Sequence, residues 1–344
     1  MDSYEMPDLR LPFETASHPD AEHVQELTEA WCLKFGLLRS PSVARKFRAL
    51  GYGRIMATLT PWAPLEGLAL ITDWNSFFFV TDDQQNIGVT TGRVARYEGL
   101  VASMRRVIGG DSRPTVHEDH PLIAALRDLL DRTLVAQSLH SRPDDWVTRF
   151  RGNLDLWLTG HLAENAYRQS GTVPTVEDYV AVRRAASTVL PTVDLVELVE
   201  GATVPDVLYR SPQYQTVVQG TADIMCWIND IHSLHMEQGD PINLVTVLDH
   251  HEHLGVQRAI DAVAARVASR VDDHLAATRE LPAVLAALGV AEPEAVLRCV
   301  RDQQSWAAGM EAWDRTDTIR FSAAEATGAK ASYVDDLLDW PTTA

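Results

Sequence analysis

Asn229, Ser233 and Glu237 stand four residues apart in the run Asn229-Asp230-Ile231-His232-Ser233-Leu234-His235-Met236-Glu237. On a helix turning about 100° per residue they fall within roughly an 80° arc and point the same way. An amide, a hydroxyl and a carboxylate converging like this offer hard oxygen ligands, the set that holds Mg²⁺ while leaving positions for water and a substrate phosphate. The same spacing also fits a solvated polar face. The apolar run from Thr221 to Ile228 places the three at the end of a buried helix, where polar groups need a reason.

A second acidic element, Asp82-Asp83, closes the aromatic stretch Asp73-Trp74-Asn75-Ser76-Phe77-Phe78-Phe79-Val80-Thr81. Adjacent carboxylates at a helix C-terminus oppose the macrodipole. A divalent cation is one way to stabilise them, and capping a helix or starting a loop is the other. Arg183 and Arg184 sit inside an otherwise apolar helix. If either faces inward it needs an anion, because an unpaired buried guanidinium is costly; the alternative is a solvated pair.

The chain that must position these groups has 344 residues, 46% hydrophobic and 23% charged, which describes a globular protein with a large core. Its net charge of -18 argues against a nucleic-acid partner, so an anionic ligand needs local cations or metal to neutralise it. Cys32, Cys226 and Cys299 lie far apart with no CxxC, which suggests neither disulfides nor zinc and points to a reducing cytoplasm. Residues 1–19 carry acids and prolines without the pattern of a secretory signal, and no run is long and apolar enough to span a membrane.

Periodicity and breakers predict an all-α protein of about ten or more helices in one domain. A helix opens near Asp20 and ends at Gly36, and short ones come after it over 42–50 and 53–60. Residues 65–86 read as a core helix, 88–110 as another, then 119–141 and 144–170. The stripe of Phe150, Leu154, Trp157, Leu158, His161 and Leu162 reads as core, with His161 a satisfied histidine. A helix over 175–187 precedes Pro191, which is expected to break or kink the next stretch of chain. Helices over 212–237, 242–254, 256–279 and 293–312 complete the set, and His250, His251 and His253 read as an exposed face.

Together these residues resemble the class I terpene synthases of bacterial type. Asp82-Asp83 after an aromatic helix looks like that family's aspartate-rich motif, and Asn229, Ser233 and Glu237 match its NDxxSxxxE metal motif. Arg183, 46 residues before Asn229, stands where the family has a diphosphate-sensing arginine, and Arg320 where it has the arginine of a C-terminal Arg-Tyr pair. The resemblance implies a single-domain helical bundle around a central apolar cavity over 20–321, after an irregular segment 1–19. A tail over 322–344 would become ordered on ligand binding.

It also implies that Asp82, Asp83, Asn229, Ser233 and Glu237, with Asn86 as a further ligand, hold three Mg²⁺ ions around a prenyl diphosphate. Arg183 and Arg320 would bind the diphosphate. Ser187, after a helix break with Ala186 as linker, would aim a carbonyl at the substrate. Arg183, Ser187 and Asp82 are thus the expected catalytic residues, and Phe78, Phe79, Trp157, Trp306 and Trp313 the expected cavity wall. The implied reaction is cyclisation of farnesyl diphosphate first, with geranylgeranyl and geranyl diphosphate open and a silent isoprenoid-binding protein as the rival. A homodimer is the family expectation. Asn86, Ala186, Met236 and Phe321 depart from the family pattern, where an acid, a polar linker, a lysine and a tyrosine are frequent.

Overall fold

The computed structural model describes residues 4–9, 11–139, 144–237, 239–320 and 334–341. Among them are α1 (Ala21–Lys34), α2 (Pro41–Leu50), α3 (Tyr52–Leu59), α4 (Leu65–Thr90), α5 (Val94–Ile108), α6 (Pro121–Leu139) and α7 (Asp144–Ser170). They are followed by α8 (Val176–Ala186), α9 (Val189–Val199), α10 (Asp206–Tyr209), α11 (Pro212–Ser233), α12 (Leu244–Glu252), α13 (Val256–Leu288) and α14 (Pro293–Ala312). A π-helical turn, Trp313–Asp317, continues α14. Phe321 and residues 322–333 lie outside the described residues.

The central helix is α4, apolar nearly all round and buried from Leu68 to Gly88 on most of its surface. It runs to Thr90 rather than stopping at 86, so Asp82-Asp83 lies two turns inside the helix and not at its C-terminus. The extension has a local cause. Both amides after the acid pair are bonded across the bundle. Gln84 donates to Asp335 O at 3.0 Å and accepts from Leu337 N at 2.8 Å, tying α4 to segment 334–341. Gln85 donates to His161 O, Asn165 Oδ1 and Glu164 Oε2 at 3.0, 3.0 and 3.3 Å, tying it to α7.

Three other expectations change. The α11 helix ends at Ser233, four residues early, because the amide of Asn243 donates to the Asp230 carbonyl at 2.8 Å while the Met236 and Glu237 amides both turn back onto Ser233 O. Glu237 therefore lies in a turn beyond the helix. Pro191 neither breaks nor kinks a helix. The break falls earlier, at Ser187 and Thr188, and Pro191 sits in the first turn of α9, where its missing N–H costs nothing. The α13 helix continues to Leu288 with Pro282 inside it, nine residues past the expected end at 279.

The break between α8 and α9 is gripped from α7. A Cβ on Gly160 would lie 2.5 Å from Ala186 Cα and 2.6 Å from the Ala185 carbonyl carbon, so only glycine lets the two backbones approach this closely. The following helix is anchored by charge. Arg149 on α7 pairs with Asp194 at 2.7 Å and Glu197 at 2.6 Å, both carboxylates fully buried on α9. The described residues of the N-terminal segment, 4–9 and 11–18, form no helix and are pinned to the bundle. Glu5 N donates to Gln257 Oε1 at 2.7 Å, Ala16 N to Ser305 Oγ at 3.1 Å and His18 N to Ala57 O at 2.9 Å. Among the described residues Cys32, Cys226 and Cys299 are buried and form no disulfide, and no helix is long and apolar enough to cross a membrane.

One buried acid on α14 accepts no hydrogen bond from any described residue at either carboxyl oxygen. Burial, reinforced by Glu200, pushes Asp302 up to about 9. In the unfolded chain it titrates near the ordinary aspartate value of about 3.9. Between those values the native state keeps a proton that the unfolded chain has lost, so this group's contribution to stability falls as pH rises, by up to about 1.4 kcal/mol per pH unit. Asp302→Asn, which does not ionise, should flatten that slope and be the more stable protein at pH 8. Urea unfolding of both proteins from pH 5 to 8 checks this, and parallel curves would contradict it.

Candidate active site

A cavity with about 180 Å³ of space for the centres of water-sized molecules lies between α4, α7, the α8–α9 break, the end of α11 and α14. Its wall brings together Phe78, Phe79, Asp82, Asn86, Trp157, Arg183, Ser187, Asn229, Glu237, Trp306 and Arg320, which the chain holds as much as 242 residues apart. Ile55, Met225, Cys226 and Met310 complete the apolar lining.

On the α4 wall, Asp82 and Asp83 are bridged by Arg320. Its Nη2 lies 3.2 Å from Asp82 Oδ2 and 3.0 Å from Asp83 Oδ1, with Nη1 3.4 Å from Asp83 Oδ2. Asn86 donates to Asp82 Oδ2 at 3.3 Å. Burial pushes the Asp83 carboxyl up; Arg320 opposes this and Asp82 adds to it. Burial disfavours the charge on Arg320, yet the Asp83 and Asp82 carboxylates outweigh it and hold the guanidinium firmly ionised. The same guanidinium covers Phe79 at 4.9 Å, and Phe79 stacks on Tyr52 at 4.6 Å. Trp313 is not on the cavity wall. It sits behind Phe79, where its indole N–H donates to Leu50 O at 2.8 Å, because the π-helical turn rotates it toward α2 and α3.

The facing wall starts from Asn229 and Asp230. Arg183 reaches from α8 and donates to Asn229 Oδ1 at 3.0 Å and to Asp230 Oδ1 at 2.9 Å. Asp230 is fully buried behind the motif and also accepts from Tyr179 OH and, at 2.7 Å, from Leu244 N. Burial works against the charge on Arg183, and Asp230 outweighs it, keeping its pKa well above the usual value. Ser233 donates to Glu237 Oε2 at 2.8 Å, and Asn243 donates to the same oxygen at 3.2 Å. Burial, with Asp230 adding to it, raises the Glu237 carboxyl. The turn after Ser233 thus returns Glu237 to its motif partner although the helix has ended.

The paired arginines divide. Arg183 serves the cavity, whereas Arg184 turns away to Asp223 at 2.6 Å, a buried carboxylate it shares with Arg270 at 2.8 Å. Neither is a solvated pair, since both face buried anions on α11. The histidines match expectation. His161 is buried, shares a hydrogen bond of 2.6 Å with Tyr97 and is held below its usual pKa by burial, while His250, His251 and His253 are exposed.

Several cavity groups escaped the sequence reading. Glu164 and Arg168, one helical turn apart on α7, both line the cavity and pair at 3.2 Å. Arg168 also meets Asp240 at 3.0 Å, and Glu164 lies 3.8 Å from Arg183. Their spacing of four was the available signal. The Asp314 carboxyl, one residue after Trp313, is buried beside Asn229 without closing a hydrogen bond of good geometry, and burial raises it well above the aspartate range. Among the described residues no three His, Cys, Asp or Glu side chains converge as one cage. The acids are split between two walls and completed by an amide and a hydroxyl.

Known proteins resemble this chain in sequence and in fold. A family model described as terpene synthase family 2, C-terminal metal binding, matches residues 73–273. The chain is 31% identical over 289 residues to pristinol synthase of Streptomyces pristinaespiralis, covering 83% of this chain and 76% of that protein. It is also 31% identical over 314 residues to the (+)-T-muurolol synthase ((2E,6E)-farnesyl diphosphate cyclizing) of Roseiflexus castenholzii, covering 90% and 92%. Among solved structures it resembles wild-type cucumene synthase, with 27% identity and a TM-score of 0.73 over 89% of this chain and 99% of that one. Hedycaryol synthase in complex with HEPES shares the fold, with a TM-score of 0.78 at 22% identity over 91% and 99%.

The Arg183–Asp230 pair is a test of how charge is held here. Asp230→Ala strands a buried guanidinium and should cost about 3–5 kcal/mol of stability in denaturant unfolding. Adding Arg183→Met to that variant should recover much of the loss. A loss that the second substitution leaves unchanged would show that Asp230 acts through Tyr179 and Leu244 instead.

Proposed function

This chain belongs to the terpene synthase family, and we propose that it ionises farnesyl diphosphate with Mg²⁺ and closes the resulting cation to a cyclic terpene. The enzyme is a terpene cyclase with a metal-binding domain. The finer reading rests on one observation. Asp82 from one side and Asn229 and Glu237 from the other line one cavity together with aromatic and aliphatic residues, Asp83 joins Asp82 through Arg320, Ser233 joins Glu237 by a hydrogen bond, and each side already holds an arginine. The names of three relatives specify cyclisation of (2E,6E)-farnesyl diphosphate, which favours that substrate.

The residues fit a hard divalent ion. The donors are carboxylate, amide and hydroxyl oxygens, and Ser233 and Glu237 already stand at hydrogen-bond distance, 2.8 Å. Asp82 and Asp83, with Asn86 beside them, would hold Mg²⁺ on one wall and Asn229, Ser233 and Glu237 on the other, three ions in all. Bound there, Mg²⁺ would neutralise charge on the diphosphate as the carbon–oxygen bond breaks. Arg320 and Arg183 have guanidinium forks that match phosphate oxygens, so each can leave its carboxylate for the diphosphate. Arg168, also on the wall, adds a third fork.

Phe78, Trp157 and Trp306 line the cavity and would attract the allyl cation and keep bulk water from it, while the ring of Phe79 is already taken up by Arg320 and Tyr52. Ser187, Thr188 and Val189 line the cavity at the α8–α9 break, which supports a role for the backbone at Ser187 toward the substrate. Gly160 holds that break in place, which makes the backbone there a fixed part of the site.

The experiment is incubation with geranyl, farnesyl and geranylgeranyl diphosphate plus Mg²⁺ and analysis of the organic extract. Farnesyl diphosphate should give cyclic products that vanish with EDTA. Asn229→Ala and Glu237→Ala should each lower turnover roughly 100-fold or more, the scale of losing one fixed contact to a developing charge. Preferred turnover of geranylgeranyl diphosphate would move the enzyme to diterpenes. No turnover of any of the three, with ligand binding intact, would make it a silent binding protein.

Gly160 generates a second expected outcome. Gly160→Ala should lower the melting temperature, since overpacking costs about 1–3 kcal/mol. Because the displaced backbone carries Ala186 and Ser187, it should also alter the product ratio. A variant that melts early but keeps the wild-type ratio would confine Gly160 to packing.

A further inference from the structure

We propose that Asn75 binds a water molecule in the hydrocarbon part of the cavity and presents it to the final carbocation, so that the main product is an alcohol. This rests on the cyclase reading of the same site.

Asn75 lies on α4 seven residues before Asp82, so it shares the cavity face of the helix, two turns or roughly 10 Å below the acid pair. It is 6% exposed. In the structure neither end of its amide makes a hydrogen bond to any described residue. The cavity wall around it is aromatic and aliphatic: Phe78 one turn on, Trp157 across from Phe78 at 4.9 Å, and Ile55. The indole N–H of Trp157 is buried and also lacks a partner among the described residues.

Every other buried Asn or Gln side chain among the described residues bonds at one end at least. Gln84 bonds at both ends of its amide, Gln85 donates to three acceptors, and Asn243 bonds at both ends to neighbouring backbone and to Glu237. A leucine would fill the Asn75 position at no polar cost, and buried polar groups left unpaired call for an explanation. A water molecule supplies one. It can accept from the amide N–H and donate to the amide oxygen, and the indole N–H of Trp157 offers a further donor to the same cavity. One water needs only a small part of the room the cavity provides.

The chemistry balances without a further reagent. A lone pair of the water oxygen forms the C–O bond to the cationic carbon, and the oxonium so formed passes a proton to the released diphosphate. The amide of Asn75 is neutral and takes no proton; it orients the nucleophile. Without that water the cation ends by losing a proton from carbon, and the product is a hydrocarbon.

The test runs the full chain with farnesyl diphosphate and Mg²⁺ in ¹⁸O-water and analyses products by mass spectrometry. The wild type should give chiefly an alcohol carrying one ¹⁸O. Asn75→Leu should release diphosphate within about threefold of the wild-type rate while its alcohol fraction falls about tenfold or more in favour of hydrocarbon, and Asn75→Gln should retain part of it. A wild type that turns over to hydrocarbon alone, or an Asn75→Leu enzyme with unchanged alcohol fraction, overturns the proposal. Should Asn75→Leu fold poorly, Asn75→Val serves in its place. A high-resolution crystal structure gives a readout independent of turnover: an ordered water on the Asn75 amide supports the proposal even if no substrate reacts, and a dry amide overturns it even if the cyclase reaction is confirmed.

Discussion

Carboxylates set on opposite walls of an apolar cavity repel one another and lose hydration, and the low dielectric between them magnifies both costs. The site is organised around meeting that constraint with arginine. Arg320 answers Asp82 and Asp83, Arg183 answers Asp230 and takes the Asn229 oxygen, and Arg168 lies between Glu164 and Asp240. Each guanidinium is buried against at least one carboxylate, so each is retained in its charged form although burial opposes it. This is also what a diphosphate needs: cations already gathered, already desolvated, and held by partners that metal ions can take over.

Charge balance alone would not hold the walls in register. The central helix is fixed by the two residues that come directly after its acid pair, Gln84 toward segment 334–341 and Gln85 toward α7. The opposite wall is fixed by Asp230, which faces away from the cavity and draws together α8, α11 and the start of α12 through Arg183, Tyr179 and Leu244. Between them, Gly160 lets α7 touch the backbone of the α8–α9 break. Residues that do not line the cavity thus set where the oxygens of the two walls stand. A cyclase depends on this, since small displacements of a fixed electrostatic environment change the outcome of a reactive cation.

Beneath the charged rim the wall is aromatic, and its depth is decided by packing rather than by polarity. Phe78 and Trp157 meet edge to face at 4.9 Å, Phe79 is backed by Tyr52, and Trp313 stands a layer further out. Of the two tryptophans at the end of α14 and in the π-helical turn, Trp306 thus faces the cavity and Trp313 does not.

Most of the helices and the grouping of Asn229, Ser233 and Glu237 were legible in the order of residues, because helical periodicity and four-residue spacing are local properties, although α9 and α10 were not foreseen. So were Asp82-Asp83 and Arg183, whose residue types are costly to bury without a purpose. Where α11 stops was not legible, since the Asn243 amide that ends it comes from beyond the next turn. Nor was the share of Arg183 and Arg184 between cavity and scaffold, the place of Glu164 and Arg168 on the wall, or the isolation of Asn75. Each of these depends on what another helix presents across the cavity, and that proximity exists only once the bundle has closed.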